Sequence, residues 1–411
     1  MKKLIAIAVV FALFTGAAFA DVMVGGQVAT KAVLIGGDNV EDSDIYAGMS
    51  NVAARANAAF TNDTGTAGGL VRLYGMTAKG WWQDWNGGGA PFAFSWWKPI
   101  DQLRIQLGLN PDGDWGAAQI TGWGFNAEAQ DFVAIDQDSG DMGGSPIWRS
   151  RNQGFYGGFS VLGATVSIYP ADGLTFNIGI PFGNGDRKNG DFLARDVYLK
   201  SHINVVYAIP DIGTVRVSFQ GAGGKDEDNN QYRSVGNIYG SFYLTAIDGI
   251  NVDLGVGFGL PFEKNAAGDK TNPGLGVGLG LRYVGDGFGI KFRAGAALAG
   301  KTENAGVEAK SATEIGVVIL PYFDLEIMRV YLNAGFGVSI FDENDKHTGG
   351  YDKDPAVDFF VNPYISKSAG GLTFYAGFRL ASPAPTWDGT AHEYNDRLVK
   401  WSVPIGFNSY F

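Results

Sequence analysis

The feature that most constrains this chain is a period of two in its apolar residues. Between positions 249 and 264 the sequence reads GINVDLGVGFGLPFEK, in which Ile250, Val252, Leu254 and Val256 alternate with polar residues or glycine. Successive side chains of a β-strand point to opposite faces, and no helix has this period. The segment is therefore predicted to be a strand of roughly 13 residues with one apolar face.

The same alternation recurs on both sides of a tight turn. Residues 274–300 read GLGVGLGLRYVGDGFGIKFRAGAALAG, with Gly-Asp-Gly at 285–287 between two alternating runs. Further along the chain, short connections fall near 170–173, 210–213, 247–249, 284–287, 324–328 and 367–371, and long polar ones near 183–194, 221–234, 263–273, 300–311, 342–355 and 382–396. The pattern predicts antiparallel hairpins with tight turns at one end and long loops at the other.

The first twenty residues have the features of a secretory signal peptide. Lys2 and Lys3 precede an apolar run at 4–14, and Ala18-Phe19-Ala20 precedes Asp21. A basic start, a short apolar segment and a small-x-small cleavage site predict removal of residues 1–20 and export of a single domain, 21–411.

Composition excludes several functional classes. The chain has no cysteine, which rules out disulfides and thiol chemistry. A net charge of -11 argues against nucleic acid as a partner. No run of about 18 apolar residues is available for a membrane helix. The 62 glycines and 13% aromatic residues are typical of a strand-rich chain.

Two architectures satisfy such strands, a soluble antiparallel stack or a closed membrane barrel. The predicted strands run about 10 to 14 residues, the length that a tilted strand needs to cross a bilayer. Aromatic residues at the strand ends favour the membrane barrel, since they form interfacial girdles. These are Tyr169, Phe182, Tyr207, Phe219, Phe262, Tyr283, Phe288, Phe323, Phe341 and Trp401.

With these features the chain resembles an outer-membrane β-barrel of the porin type. The stretch WWKPIDQLRIQLGLNPDGDWG at 96–116 is also similar to spirochaete-type porins and major outer sheath proteins. The resemblance implies an all-β transmembrane antiparallel barrel in the bacterial outer membrane, with short periplasmic turns and long extracellular loops. It also implies contact with outer-membrane lipid and a homotrimer.

The last predicted strand resembles the signal that the barrel-assembly machinery reads in this family. In LVKWSVPIGFNSYF at 398–411, Val403, Ile405, Phe407 and Phe411 share one parity. Ser409 departs from the family pattern, in which a larger apolar or aromatic residue is usual at that position.

The strand count depends on the N-terminal third. Thirteen strands are predicted from residue 155 onward, and five candidates precede them at 22–35, 45–60, 69–79, 91–97 and 103–109. The second contains NVAARANAAF, which could equally be a short helix. The total is 18 strands, or 16 without that pair, and either number leaves room for an aqueous channel.

The candidate pore combines an acidic loop with a basic wall. In general porins a long third loop folds inward, and the resemblance implies the same for 110–152. That loop carries Asp112, Asp114, Glu128, Asp131, Asp136, Asp138 and Asp141. The inward parity of the strands supplies Arg72, Arg104, Lys200, Arg216, Arg282, Lys291, Arg293 and Arg379. Opposed charges of this kind would tune which solutes pass.

The predicted function is passive diffusion of small hydrophilic solutes through a water-filled lumen, without cofactor or metal and without enzymatic activity. Of the three histidines, His202 has inward parity and could pair with Ser218 or Ser241, but no two have metal-ligand spacing. One alternative is a surface adhesin or structural antigen anchored by the barrel. Another is a channel specific for sugars or hydrophobic compounds, supported by inward aromatic residues at Tyr198, Tyr239, Tyr243, Tyr331, Phe360, Tyr364 and Tyr375.

Overall fold

The structure is a computed structural model of the 411-residue chain. It describes residues 19–38, 45–76, 92–109, 162–181, 201–221, 224–225, 231–232, 236–259, 270–271, 275–298, 301–304, 307–310, 313–340, 356–382 and 399–410. The predicted signal peptide falls almost wholly outside these ranges and stays a prediction.

Eighteen strands form one antiparallel sheet within the described ranges. The first nine are β1 (Phe19–Asp38), β2 (Tyr46–Asn62), β3 (Ala67–Met76), β4 (Phe92–Ile100), β5 (Leu103–Leu109), β6 (Leu162–Ala171), β7 (Leu174–Pro181), β8 (His202–Ile209) and β9 (Gly213–Gln220). The second nine are β10 (Asn237–Ile247), β11 (Ile250–Gly259), β12 (Leu275–Val284), β13 (Phe288–Leu298), β14 (Thr313–Asp324), β15 (Arg329–Ile340), β16 (Ala356–Ala369), β17 (Leu372–Gly377 continued by Arg379–Ser382) and β18 (Lys400–Tyr410).

The sheet closes on itself. Each strand pairs with the strand before and after it in the chain, and β1 pairs with β18, with Thr30 opposite Phe407 and Val33 opposite Pro404. Closure leaves no strand of the sheet with an unpaired edge, which is what a spanning sheet requires in lipid. The prediction of an antiparallel barrel is confirmed, and the closed sheet has 18 strands rather than 16 when the two segments of β17 are counted as one.

The segment that the sequence left between helix and strand is a strand. Ala53, Ala54 and Ala56 lie in β2, where they pair with β1 on one side and β3 on the other. Alanine is a good helix former, but β2 is held by hydrogen bonds to two neighbours, so the tertiary ladder overrides local propensity. The thirteen strands predicted from residue 155 onward correspond to β6 through β18.

The two faces of the sheet have opposite character. Large apolar side chains on the outward parity are exposed, as in Leu254 at 48%, Phe336 at 49% and Val217 at 47%. Inward positions are mostly polar or charged, and Asn204 and Ser218 are fully buried. A soluble sandwich would bury the apolar face instead. An exposed apolar face of this kind is typical of a barrel that spans a lipid bilayer.

Short turns and long connections alternate as the sequence predicts. Gly249 and Gly287 each have a φ of +71° in short turns, a conformation that side chains other than glycine rarely adopt. The carbonyl of Gly249 accepts a hydrogen bond from the amide of Val284, at 2.8 Å, which ties this turn to the next hairpin.

Aromatic side chains gather on the outer surface near the short turns. Phe288 lies 5.0 Å from Phe323 and 6.2 Å from Tyr283 between ring centroids. Phe374 lies 5.1 Å from Phe407. Tyr169 differs from the expected girdle, because it shares the inward parity of Ser167 and its ring lies 6.0 Å from Nζ of Lys98.

Three of the long connections contain strands of their own. Lys270–Thr271 pairs with Lys301–Asn304, which pairs with Val307–Lys310, in a three-stranded sheet. Gly224–Lys225 pairs with Gln231–Tyr232 in another long connection. Among the residues described, no helix is long and apolar enough to cross a membrane.

Candidate functional site: the inner wall of the barrel

The predicted basic wall is only partly described. Arg104 and Arg216 are half-buried, Arg282 is exposed near a short turn, and the remaining described side chains are buried: Lys291 at 5%, Arg293 at 3% and Arg379 fully. Arg72 lies in β3 opposite Asn57, but its side chain is not described. Lys200 lies outside the described residues. The selective role of all eight stays a prediction.

The acidic side of the predicted pore falls on a segment outside the described ranges. Asp112, Asp114, Glu128, Asp131, Asp136 and Asp138 all lie outside the described residues, as does Asp141. The flanking strands do fix where the loop is attached, because Leu109 on β5 is the register partner of Leu162 on β6. The segment 110–161 therefore connects β5 to β6 at the long-loop end of these two strands.

One acidic side chain lies among the basic residues of the wall. Asp253 on β11 is buried and interacts electrostatically with Arg216 and Arg293. Asp253 and Arg293 are both paired with Gly280, which lies on the strand between them and has no side chain to separate them. The interaction offsets part of the positive charge of this section of the wall.

A ladder of neutral polar side chains crosses four adjacent strands. Ser167 Oγ donates to Asn177 Oδ1 at 2.5 Å, Asn177 Nδ2 donates to Asn204 Oδ1 at 3.0 Å, and Asn204 Nδ2 donates to Ser218 Oγ at 2.8 Å. All four side chains are fully buried. Burying a polar group costs free energy unless the group is hydrogen-bonded. The hydrogen bonds of the ladder therefore allow this wall to be polar without destabilising the barrel.

The opposite part of the wall carries a tyrosine row. Tyr322, Tyr331, Tyr364 and Tyr375 lie on four consecutive strands, β14 to β17. The rings of Tyr331 and Tyr364 stack with centroids 4.4 Å apart and planes 7° apart, and Tyr322 lies 5.7 Å from Tyr331. Both stacked rings are buried. Their faces contact each other, so they do not form the exposed aromatic track expected for a sugar slide.

Arg329 fixes one end of the tyrosine row. Its guanidinium lies 4.5 Å above the ring of Tyr322 and donates from Nη2 to Asp324 Oδ2 at 2.9 Å. A second hydrogen bond joins Arg329 Nε to Asp324 Oδ1. The ion pair closes the turn between β14 and β15, and the cation–π contact orients the first ring.

Beside the tyrosine row lies a second polar row. Asn333 on β15 is paired with Asn362 on β16, and Arg379 on β17 is paired with Ser402 on β18. All four are fully buried. Within the described part of the chain, none of the amide oxygens or nitrogens of Asn333 and Asn362 has a hydrogen-bond partner.

Glycines leave space for two of the aromatic rings on this wall. A Cβ at Gly289 would lie 2.2 Å from the ring of Tyr322, and one at Gly335 would lie 2.3 Å from the ring of Phe360. Both glycines are register partners of the residue whose ring covers them. The absence of a side chain is what lets each ring lie flat against the sheet.

The position of His202 is described, and its predicted pairing with Ser218 or Ser241 stays a prediction. His202 is buried on β8, with Gln220 as its register partner, whereas Ser218 hydrogen-bonds within the polar ladder. No group of three or more histidine and carboxylate side chains with metal-binding geometry occurs among the residues described.

Sequence reasoning missed several of these residues. Asp253, Asn333 and Asn362 all have inward parity, but alternation identifies a face and not the partners across it. The predicted residues Val403, Ile405 and Phe407 do alternate outward on β18. Phe411 is outside the described residues, and the assembly role of all four stays a prediction.

Comparison with known proteins bears on the fold alone. No family model matches the chain, and no curated protein matches it. The solved structure of the outer membrane channel DcaP of Acinetobacter baumannii aligns with a TM-score of 0.52 and 11% identity, over 95% of this chain and 97% of that chain. OpdQ of Pseudomonas aeruginosa aligns with a TM-score of 0.51 and 9% identity, over 95% and 98%. OmpT of Vibrio cholerae, in trimer form, aligns at 0.46 with 12% identity, over 96% and 100%.

The closed sheet, its exposed apolar exterior and this likeness agree on one architecture. Both structures with the higher scores span almost the whole of the chain, so the resemblance is to a complete barrel rather than to a shared hairpin. The chain has the fold of a porin-type β-barrel.

Proposed function

We propose that the barrel is a channel for passive diffusion of small hydrophilic solutes. The observation that carries the proposal is the character of the two faces of the closed sheet of 18 strands. Large apolar side chains face outward, and most of the buried side chains are polar or charged. Barrels of this strand number enclose an aqueous passage rather than a filled core. Diffusion requires no covalent step, so the proposal includes no catalytic residue and no cofactor.

Selectivity in this proposal comes from charge. The basic wall, with Arg104, Arg282 and Arg379 among its members, faces the lumen, and the acidic loop 110–152 is proposed to narrow it. A transverse field between them would favour solutes by charge as well as by size. Wall and loop oppose each other in sign, so the net preference is a quantity to be measured.

Single-channel recording in planar bilayers tests the diffusion role. Purified protein should produce stepwise, long-lived conductance openings in potassium chloride, whereas a sealed anchor should produce none. Liposome swelling with neutral solutes of graded size should then give rates that fall steeply with size. Membranes that stay silent after verified insertion would contradict the proposal.

Charge-neutralising variants test the placement of the loop. Replacing Asp112, Asp114 and Asp131 with Asn removes three negative charges, which should shift the reversal potential in a salt gradient towards anion selectivity. Asp211 lies in an exposed short turn, so Asp211→Asn is a matched control. A reversal potential equal to that of the unmodified protein would place the loop outside the conduction path.

A surface antigen anchored by the barrel is the second candidate. It is favoured by the three-stranded sheet in two long connections and by the full burial of inward side chains such as Asn204. Both features suit a barrel that displays structured loops. The conductance experiment separates the two functions.

A homotrimer is the assembly we propose. The outward positions of β2 and β4 include exposed small residues at Ala56, Ala93 and Ser95, where other strands carry large apolar ones. A flat patch lets a second barrel approach closely. Light scattering of the detergent-solubilised protein should give three copies per particle, and Ala56→Trp with Ala93→Trp should lower that number, whereas Val217→Trp should not.

A further inference from the structure

Two buried carboxamides have no role in the fold described so far. Asn333 and Asn362 are 0% exposed, and all four of their side-chain polar atoms lack hydrogen-bond partners among the residues that the structure describes. Asn177 and Asn204 are equally buried, but they hydrogen-bond within the polar ladder. Burial alone therefore does not explain why the amides of Asn333 and Asn362 lack hydrogen-bond partners among the described residues. An unsatisfied buried group is costly, so an external partner is the simplest explanation.

The two amides occupy one place on the lumen wall. They are direct register partners on β15 and β16, with Arg379 and Ser402 following on the next two strands. On β13, Lys291 is paired with Leu320. The Tyr331–Tyr364 pair lies two residues away along the same strands. The row thus has two amides and a cation bordered by a rigid aromatic stack.

We infer that Asn333 and Asn362, with Arg379 beside them, form a subsite for a polyhydroxylated solute, such as a sugar or polyol, on its way through the lumen. The inference rests on the proposed diffusion function and specifies which solutes this channel holds. Each hydroxyl group both donates and accepts a hydrogen bond, so two hydroxyls can satisfy the oxygen and the nitrogen of a carboxamide together. Arg379 adds further donors for hydroxyl oxygens.

The Oδ1 atoms of Asn333 and Asn362 argue against a simple anion as the ligand, because each of these oxygens needs a hydrogen-bond donor. A carboxylate offers acceptors only, so it could accept from the amide nitrogens and from Arg379 while leaving both Oδ1 atoms unsatisfied. A site that leaves buried polar atoms unpaired discriminates strongly against that ligand. A neutral solute rich in hydroxyl groups can pair with the oxygen and the nitrogen of both amides.

Access to the subsite has a kinetic consequence. Both amides are closed to solvent in the structure, so side chains at this level of the lumen must move before a solute can reach them. Binding should therefore appear as discrete interruptions of the current. A solute that merely fills the lumen would instead lower the conductance smoothly.

Current-block titration tests the inference. Maltose and mannitol should interrupt the potassium chloride current of the wild-type channel in a saturable manner. Asn333→Leu and Asn362→Leu keep the shape of the side chain and remove its polarity, and each should raise the half-blocking concentration about tenfold, as expected for loss of hydrogen bonds to one group. Asn251, which is inward and half-buried on β11, supplies the matched control Asn251→Leu.

Two further solutes sharpen the test. Poly(ethylene glycol) of similar size has ether acceptors but almost no donors, and benzoate is an anion without donors, so neither should give saturable interruptions. An unchanged half-blocking concentration in the Asn333→Leu/Asn362→Leu double variant would overturn the inference. Stronger block by benzoate than by maltose would overturn it as well.

Thermal stability gives a readout that does not depend on the solute. If the amides have no protein partner, Asn333→Leu and Asn362→Leu should not lower the temperature at which the barrel loses its compact mobility on a detergent gel. Asn177→Leu, which breaks the ladder, should lower it clearly. A loss for Asn333→Leu as large as that for Asn177→Leu would show that the amide has a partner and would refute the subsite.

The outcomes separate this inference from the diffusion role. A wild-type protein that conducts ions but shows no saturable block retains the channel function and loses the subsite. A wild-type protein that never conducts loses both.

Discussion

The ring of Tyr331 stacks on the ring of Tyr364 across two neighbouring strands, with centroids 4.4 Å apart and planes 7° apart. The two residues are direct register partners, and both are buried on the lumen side. Such a pair contributes through contact area and through the geometry of the rings. It stiffens the wall at β15 and β16.

Breaking the stack should destabilise the barrel without closing it. Tyr331→Leu and Tyr364→Leu each remove one ring, and the interaction beyond lost area is about 0.5–1.5 kcal/mol. A double-mutant cycle on the free energy of unfolding in urea should return a coupling of that size. Tyr207 is exposed on the outer surface, so Tyr207→Leu paired with Tyr364→Leu should give additive effects.

Removing the middle of the polar ladder should be costly. Asn177→Ala leaves Ser167 and Asn204 each without one buried partner, and every such group costs about 1–3 kcal/mol. The measurement is the free energy of unfolding in lipid vesicles. Ser95→Ala, at an exposed outward position, is the control and should change it by less than about 0.5 kcal/mol. Equal effects at the two positions would contradict the ladder.

Neutralising Asp253 should make the channel more anion-selective. Asp253 interacts with Arg216 and Arg293, so Asp253→Asn leaves both cations uncompensated on the lumen wall. The reversal potential in a potassium chloride gradient should move in the anion direction. Asp248→Asn, in an exposed short turn, should leave it unchanged. A shift in the cation direction would show that Asp253 does not act on the permeating ions through this wall.

A side chain added at a glycine that an aromatic ring covers should also destabilise the barrel. In Gly335→Ala the new Cβ would approach the Phe360 ring to 2.3 Å, so the ring must move from its seat. Overpacking of this kind costs about 1–3 kcal/mol. Gly48 has open space around its added Cβ, so Gly48→Ala should be close to neutral. If the two variants unfold at the same denaturant concentration, the packing of the Phe360 ring does not require a glycine at position 335.

The fold was predictable because alternation carries most of the information. The outward parity of Leu254, Val256 and Phe258 is sufficient to identify a lipid face, and turn chemistry at Gly249 and Gly287 marks the short end. The ambiguity of β2 arose because its alanines suit a helix, and only pairing with β1 and β3 decides the matter. Local propensity cannot report a partner that is distant in sequence.

The wall chemistry was less predictable for a related reason. Parity placed Arg216 and Arg293 inward, but the interaction of both with Asp253 depends on the register of the five strands from β9 to β13 and on Gly280 between Asp253 and Arg293. The pairing of Asn333 with Asn362 is likewise a register property. Sequence patterns can assign a face to each residue. The neighbours on that face follow only from the strand offsets.

Strands β1 and β18 pair with each other as the other neighbouring strands do, with Val28 opposite Ser409 and Gly37 opposite Trp401. The native first and last strands are therefore equivalent to any interior pair. A circular permutant that joins β18 to β1 by a short linker and opens the chain at the 285–287 turn should keep all eighteen pairings between neighbouring strands. The order in which strands are translated could then be varied while the finished cylinder stays the same.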